Sequence, residues 1–160
     1  MKQFSQFKRS TGACPIGWHL PSDAEWTQLT DYLGGANVAG GKLKATTHWD
    51  SPNTGATNES GFTALPGGLR YTNGTFYYIG VTSRWWSFTE DDTDIAFFMF
   101  IDYYSGNAIR GDYNKALGIS VRCVKDFVLL KLIINHVCGN KVKTKQEKIA
   151  MHIRLSNFMA

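Results

Sequence analysis

Residues 14–35 read CPIGWHLPSDAEWTQLTDYLGG. Ser22 is a preferred N-cap residue, and Glu25 three positions later completes the spacing of a capping box. Pro21 and Trp26 stand at the positions of a hydrophobic staple. Trp26, Leu29 and Leu33 then fall on one helical face, and Gly34-Gly35 ends the run. The spacing predicts a helix from Asp23 to Leu33, entered through a cluster of one cysteine, two prolines and two tryptophans.

After this helix, a short turn of helix is expected around Gly41–Ala45, followed by a long loop, HWDSPNTGATNESG (residues 48–61). Loops of that length either bind something or are pinned by their own side chains. From Phe62 the pattern turns to strand, with a break at Pro66–Gly68. Asn73-Gly74 is a hairpin signal joining Leu69–Thr72 to Thr75–Ile79. Ser105-Gly106-Asn107 joins Ala96–Tyr104 to Ala108–Gly111. Gly118–Val124 alternates in the manner of a final antiparallel strand. The sum is an α+β chain dominated by loops and short strands, with 14% aromatic residues to fill its core.

The net charge of +4 over 160 residues belongs to one end. Residues 1–126 carry 11 Lys or Arg against 12 Asp or Glu, whereas residues 127–160 carry six against one. The body therefore has no basic signature for nucleic acid, and no nucleic-acid partner is expected. FVLLKLII (127–134) is too short for a transmembrane segment and contains Lys131. MKQFSQFKRSTGA (1–13) reads as a frayed segment without the apolar run of a secretion signal.

Three sets of residues could carry function. Glu90, Asp92 and Asp94 alternate in an acidic run and could offer oxygens to calcium, or simply form a solvated loop. Asp50, Asn53, Asn58 and Glu59 bring further oxygen donors into the long loop, where a self-bonded Asx-rich loop is the plainer reading. Among the aromatics, Tyr77, Tyr103, Tyr104 and Tyr113 lie near hairpins and suit a binding face. Enzymatic readings fare badly. His19 is wedged between Trp18 and Leu20, His48 has no evident partner, and His136 and His152 lie in the tail. No phosphate loop or serine-nucleophile motif is present. Spacing alone leaves Cys14 and Cys123 open between a bridge and two buried thiols, and Cys138 is left over as a free thiol.

The blocks CPIGWHLPSDAEWTQL, AGGKLKAT, GATNESGFTALPGG, WWS and ISVRCVKD closely resemble, in this order, the Fibrobacter succinogenes major paralogous domain over about Gly12–Asp126. The resemblance implies a C-type-lectin-like frame, related to the domain of formylglycine-generating enzymes: a loop-rich twisted antiparallel sheet with one or two flanking helices. It divides the chain into a truncated or disordered segment 1–13, the domain 14–126 and a foreign basic tail 127–160. It implies a Cys14–Cys123 disulfide, with Trp18 and Trp26 packed nearby, and hence an oxidising compartment. The expected role is a non-enzymatic binding module of a secreted or cell-surface bacterial protein, with a glycan or surface protein as ligand. Alternatives are a structural or adhesive domain without a small ligand, or a fragment whose tail binds anionic surfaces. Related lectin-like loops often hold calcium at the place of Asp50–Glu59, though the familiar sugar-binding tripeptides are absent. The formylglycine reaction needs a pair of active-site cysteines that this chain lacks, so it does not transfer.

Overall fold

A computed structural model describes residues 12–126. Its elements run β1 (Trp18–His19), α1 (Asp23–Tyr32), α2 (Ala36–Leu43), β2 (Leu69–Arg70), β3 (Phe76–Tyr77), β4 (Thr82–Glu90), β5 (Ile95–Asp102), β6 (Ile109–Asn114) and β7 (Val124–Lys125). All strand pairs are antiparallel, in three small sheets: β1–β7, β2–β3 and β4–β5–β6. The architecture is thus α+β. The N-terminal segment up to residue 11 and the tail 127–160, with Cys138, His136 and His152, lie outside the described residues.

The capping box forms as its spacing requires. Glu25 N–H donates to Ser22 Oγ at 3.3 Å, and Ser22 N–H donates to Glu25 Oε2 at 2.9 Å. Leu33 is the C-cap, and Gly34 and Gly35 follow at φ 102° and 98°, values open to glycine. The apolar face of α1 packs on β4 and β5. Trp26, Phe62 and Trp85 form its centre, the last two edge-to-face at 5.3 Å. Leu29, Leu43, Met99 and Ile101 surround them.

The second helix departs from expectation: it begins at Ala36, five residues before the predicted turn. Gly40 and Gly41 obscured it, since glycine is the poorest helix former after proline. They are there for close approach. A Cβ on Gly40 would stand 2.0 Å from the Asn107 carbonyl oxygen, and one on Gly41 2.3 Å from that of Gly55. The long loop is pinned to this helix. Thr57 N–H donates to Gly41 O, and Ser60 Oγ donates to Lys42 O.

The expected final strand over Gly118–Val124 is also corrected. That segment makes only isolated bridges, Arg70↔Gly118 and Trp85↔Ser120, before β7 pairs with β1. Likewise Phe62–Tyr71 is not continuous. Ala64 bridges Lys44, and β2 starts after Gly68, whose φ of 62° and closeness to Tyr77 O exclude a side chain. The two hairpins at Asn73-Gly74 and 105–107 stand where they were placed.

Cys14 and Cys123 are bonded, with Cα atoms 5.7 Å apart across 109 residues. Trp26 lies in the main core rather than beside this bridge. Cys14 packs on a second cluster, Leu20, Trp86, Ala96 and Leu117. Trp18 is half-buried with the Lys125 ammonium 6.0 Å from its ring.

Candidate ligand-binding face

The register of β4–β5–β6 assigns the sheet's two faces. Arg84 pairs with Phe100, which pairs with Ile109; Trp86 pairs with Phe98, which pairs with Gly111. Side chains alternate along a strand, so these residues and Tyr113 share one face. Trp85, Met99 and Ile101 take the other and meet α1 in the core. Gly111 makes room on its face, since a Cβ there would come within 2.7 Å of the Phe98 ring.

The β2–β3 hairpin brings more rings to this side. Tyr71 meets Tyr77 edge-to-face at 5.0 Å, and Tyr77 meets Tyr78 at 6.3 Å. The Arg84 guanidinium lies 5.5 Å from the Tyr78 ring centre and 4.8 Å from that of Phe100. Phe98 links onward to Tyr113 at 6.4 Å. The neighbouring Tyr113 phenol raises the Tyr71 pKa from the usual phenol value. Tyr77, Tyr78 and Tyr113 are 43%, 50% and 44% exposed, and the adjoining Phe76 and Ile79 more so.

At the centre, Arg84 is half-buried. Burial pulls its pKa down from the usual guanidinium value. Its Nη1 donates to Thr82 Oγ1 at 2.6 Å, and the Tyr78 and Phe100 rings lie beside it. No ion pair among the described residues includes it.

The structure therefore brings two of the four expected tyrosines, Tyr77 and Tyr113, into one face through Tyr71. Tyr103 and Tyr104 form a separate edge-to-face pair at 5.3 Å after β5. Arg84, Tyr71, Tyr78, Phe98 and Phe100 were not singled out. The available signal was an arginine inside the apolar strand TSRWWSFTE.

The proposed calcium donors are differently engaged. Lys115 Nζ lies 2.9 Å from Glu90 Oε1 and donates to the carbonyls of Asp92 and Thr93 at 2.8 Å. Asp92 Oδ1 accepts from the backbone N–H groups of Asp94 and Ile95. In the long loop, Glu59 pairs with Lys42 at 2.8 Å, and Asn58 bonds with Thr63. Asn53 Nδ2 donates to Ala45 O, and the Asp50 carboxylate packs against Gly80. Lys44, fully buried, donates to the carbonyls of Thr54, Asp102 and Ser105 at 2.8–2.9 Å. Among the described residues no three His, Cys, Asp or Glu side chains form a group able to hold a metal ion.

Both described histidines have close partners. His19 lies between Glu25 and Asp126, and His48 Nδ1 lies 2.8 Å from Thr47 Oγ1. A cleft of about 180 Å³ between α1 and β5–β6, lined by Asp23, Trp26, Met99 and Arg110, is smaller than the ~300 Å³ at which small-molecule pockets begin. The open tyrosine face is the better candidate for a ligand. Among the described residues, no helix is long and apolar enough to cross a membrane.

No curated protein and no solved structure matches this chain. The Fibrobacter succinogenes major domain matches it over residues 3–125, starting upstream of the motif blocks. That match covers well over half of the chain, which thus belongs to the Fibrobacter succinogenes major domain family.

Proposed function

We propose that this domain is a non-enzymatic binding module of a secreted or cell-surface protein, on a C-type-lectin-like frame, and that the Arg84 face takes its ligand. The ligand class is a glycan or a surface protein. One observation carries this reading: a half-buried cation with ring and hydroxyl partners stands among exposed tyrosines. Tyrosine offers an apolar face and a polar tip at little entropic cost, which suits recognition. The Cys14–Cys123 bridge supports an oxidising compartment. The engagement of His19 between two carboxylates supports a structural rather than a catalytic histidine.

A glycan panel probed with the oxidised full chain tests the proposal, run in calcium and again in EDTA. Binding that is lost in Tyr77→Ala and Tyr78→Ala variants, at unchanged melting temperature, supports it. Binding that survives both substitutions and disappears with residues 127–160 would assign recognition to the basic tail. A panel without any signal would favour a structural or adhesive role.

A further inference from the structure

We propose that the Arg84 face recognises a carbohydrate bearing a carboxylate, a hexuronate residue set among neutral sugars. The inference rests on the tyrosine face being the binding face. It specifies the chemistry of the ligand from the Arg84 guanidinium stacked on that face.

Arg84 sits on β4 with its guanidinium flanked by Tyr78 and Phe100. Desolvating a cation is costly unless a counter-charge or a full set of acceptors repays it. Among the described residues, Arg84 has one hydroxyl acceptor, Thr82 Oγ1, and two ring faces. Cation–ring contacts of this kind offset part of that cost. They leave the remaining guanidinium N–H groups, planar and forked, suited to a bidentate carboxylate.

The surroundings select among anions. Arg84 is the one cation stacked on these rings among the described residues, so a single carboxylate is the matching charge. An acidic peptide or a polyanion needs a row of cations. The body offers no general attraction for such a ligand, with 11 basic against 12 acidic residues over 1–126. Sugar rings carry apolar C–H faces that lie against aromatic rings, and their hydroxyls bond to phenols. A hexuronate joins that face to a carboxylate on the same ring. It would meet Tyr78 and Arg84 together, while neighbouring sugars extend toward Tyr77 or Tyr113.

The probe is a xylo-oligosaccharide carrying one glucuronate, compared with the same oligosaccharide after reduction of its carboxyl group to an alcohol. Calorimetry with the oxidised full chain should give binding to the acid and about ten-fold or more weaker binding to the alcohol. Arg84→Gln should remove the difference between the two. Arg84→Lys should keep part of it, because charge remains and the fork does not. Tyr78→Ala should weaken both ligands. Should Arg84→Gln fail to melt cooperatively, Arg84→Lys and Tyr78→Ala decide.

Equal affinity for acid and alcohol, reduced for both by Tyr78→Ala, would overturn the uronate inference and leave the tyrosine face standing. No binding of either, with a neutral glycan bound through Tyr77 and Tyr78, would do the same. Binding of polyglutamate as tight as that of the acid would remove the sugar from the assignment. Acid binding untouched by Arg84→Gln but abolished by deleting residues 127–160 would overturn both the inference and the face.

Discussion

His19 and Asp126 close the domain: the ring Nδ1 lies 2.5 Å from Asp126 Oδ1, across 107 residues of chain. The other ring nitrogen lies 2.9 Å from Glu25 Oε1, and Glu25 is itself the N3 residue of the α1 capping box. One imidazole thus ties Asp126, just past the last strand, to the first helix, beside the β1–β7 pair. The histidine that reads as merely wedged between Trp18 and Leu20 is the hub of the clasp.

That geometry sets a pH dependence. The His19 pKa is raised, chiefly by its bond to Glu25 and further by Asp126, against burial, which lowers it. A raised folded-state pKa stabilises fully below the unfolded value near 6.5 and is lost as pH rises through the folded value. For Glu25, burial raises the pKa, but the bonds from His19 and from the Ser22 backbone and hydroxyl outweigh it and hold it at about 2. Its contribution is present above the unfolded value and lost as pH falls toward about 2. Stability should therefore peak between the two unfolded values, about 4.5 and 6.5. Urea melts carried from this range to well above pH 6.5 should show the alkaline decline in the parent and a flattened one in His19→Gln, which should also cost about 1–3 kcal/mol.

The disulfide reinforces the same closure by a different route. It closes a loop spanning 109 residues, so its main effect falls on the unfolded chain. Reduction, or the paired substitution Cys14→Ser with Cys123→Ser, should lower stability by about 2–5 kcal/mol. The β1–β7 pairing and the His19 contacts do not involve the sulfur atoms, so the reduced protein should still melt cooperatively. Thermal unfolding with and without reductant checks both statements.

How much of this was legible in the sequence varies with the range of the contacts involved. Ser22 and Glu25 announce α1 because capping is local, and Asn73-Gly74 announces its hairpin for the same reason. Cys14 and Cys123 became readable as a bridge through family resemblance, which spacing alone left open. The glycines of α2 hid a helix because their reason lies in Asn107 and Gly55, far away in sequence. Gly118–Val124 has the alternation of a strand, yet its backbone finds only single bridges. Of the proposed binding face, Tyr77 and Tyr113 are legible as candidates because they lie near hairpins. Arg84 is not, because its place depends on the β4–β5–β6 register.

Two lysines bear on calcium. Lys115 takes one carboxylate oxygen and two carbonyls of the acidic turn, and Lys44 takes three carbonyls in the interior. Each ammonium fills an oxygen cage with its own charge. The melting temperature is therefore expected to be the same in calcium and in EDTA. A calcium-dependent rise would overturn this reading. Burial lowers the Lys44 pKa, yet its three acceptors and the Trp49 ring 5.6 Å away hold it in place. Lys44→Met should strand those carbonyls and cost about 3 kcal/mol or more, measured by denaturant unfolding. Lys115→Ala, at a side chain that is 10% exposed but has its acceptors in an exposed turn, should cost about 1–2 kcal/mol.

Gly40→Ala sets helix propensity against packing within α2. Propensity alone favours alanine by about 1 kcal/mol in a helix interior. The added Cβ, however, would lie 2.0 Å from Asn107 O and 2.9 Å from Gly106 O, both backbone atoms that cannot rotate away. The 105–107 turn would have to retreat, and with it the Gly41 N–H bond to Gly106 O and the Lys44 bond to Ser105 O. The variant should lose stability by about 2 kcal/mol or more despite its better helix former. Gly35→Ala provides the contrast. Space is open around it, so its cost should come from a φ of 98° alone, about 1–3 kcal/mol. If Gly40→Ala proved more stable than the parent in a denaturant melt, the close approach of α2 to the 105–107 turn would be wrong.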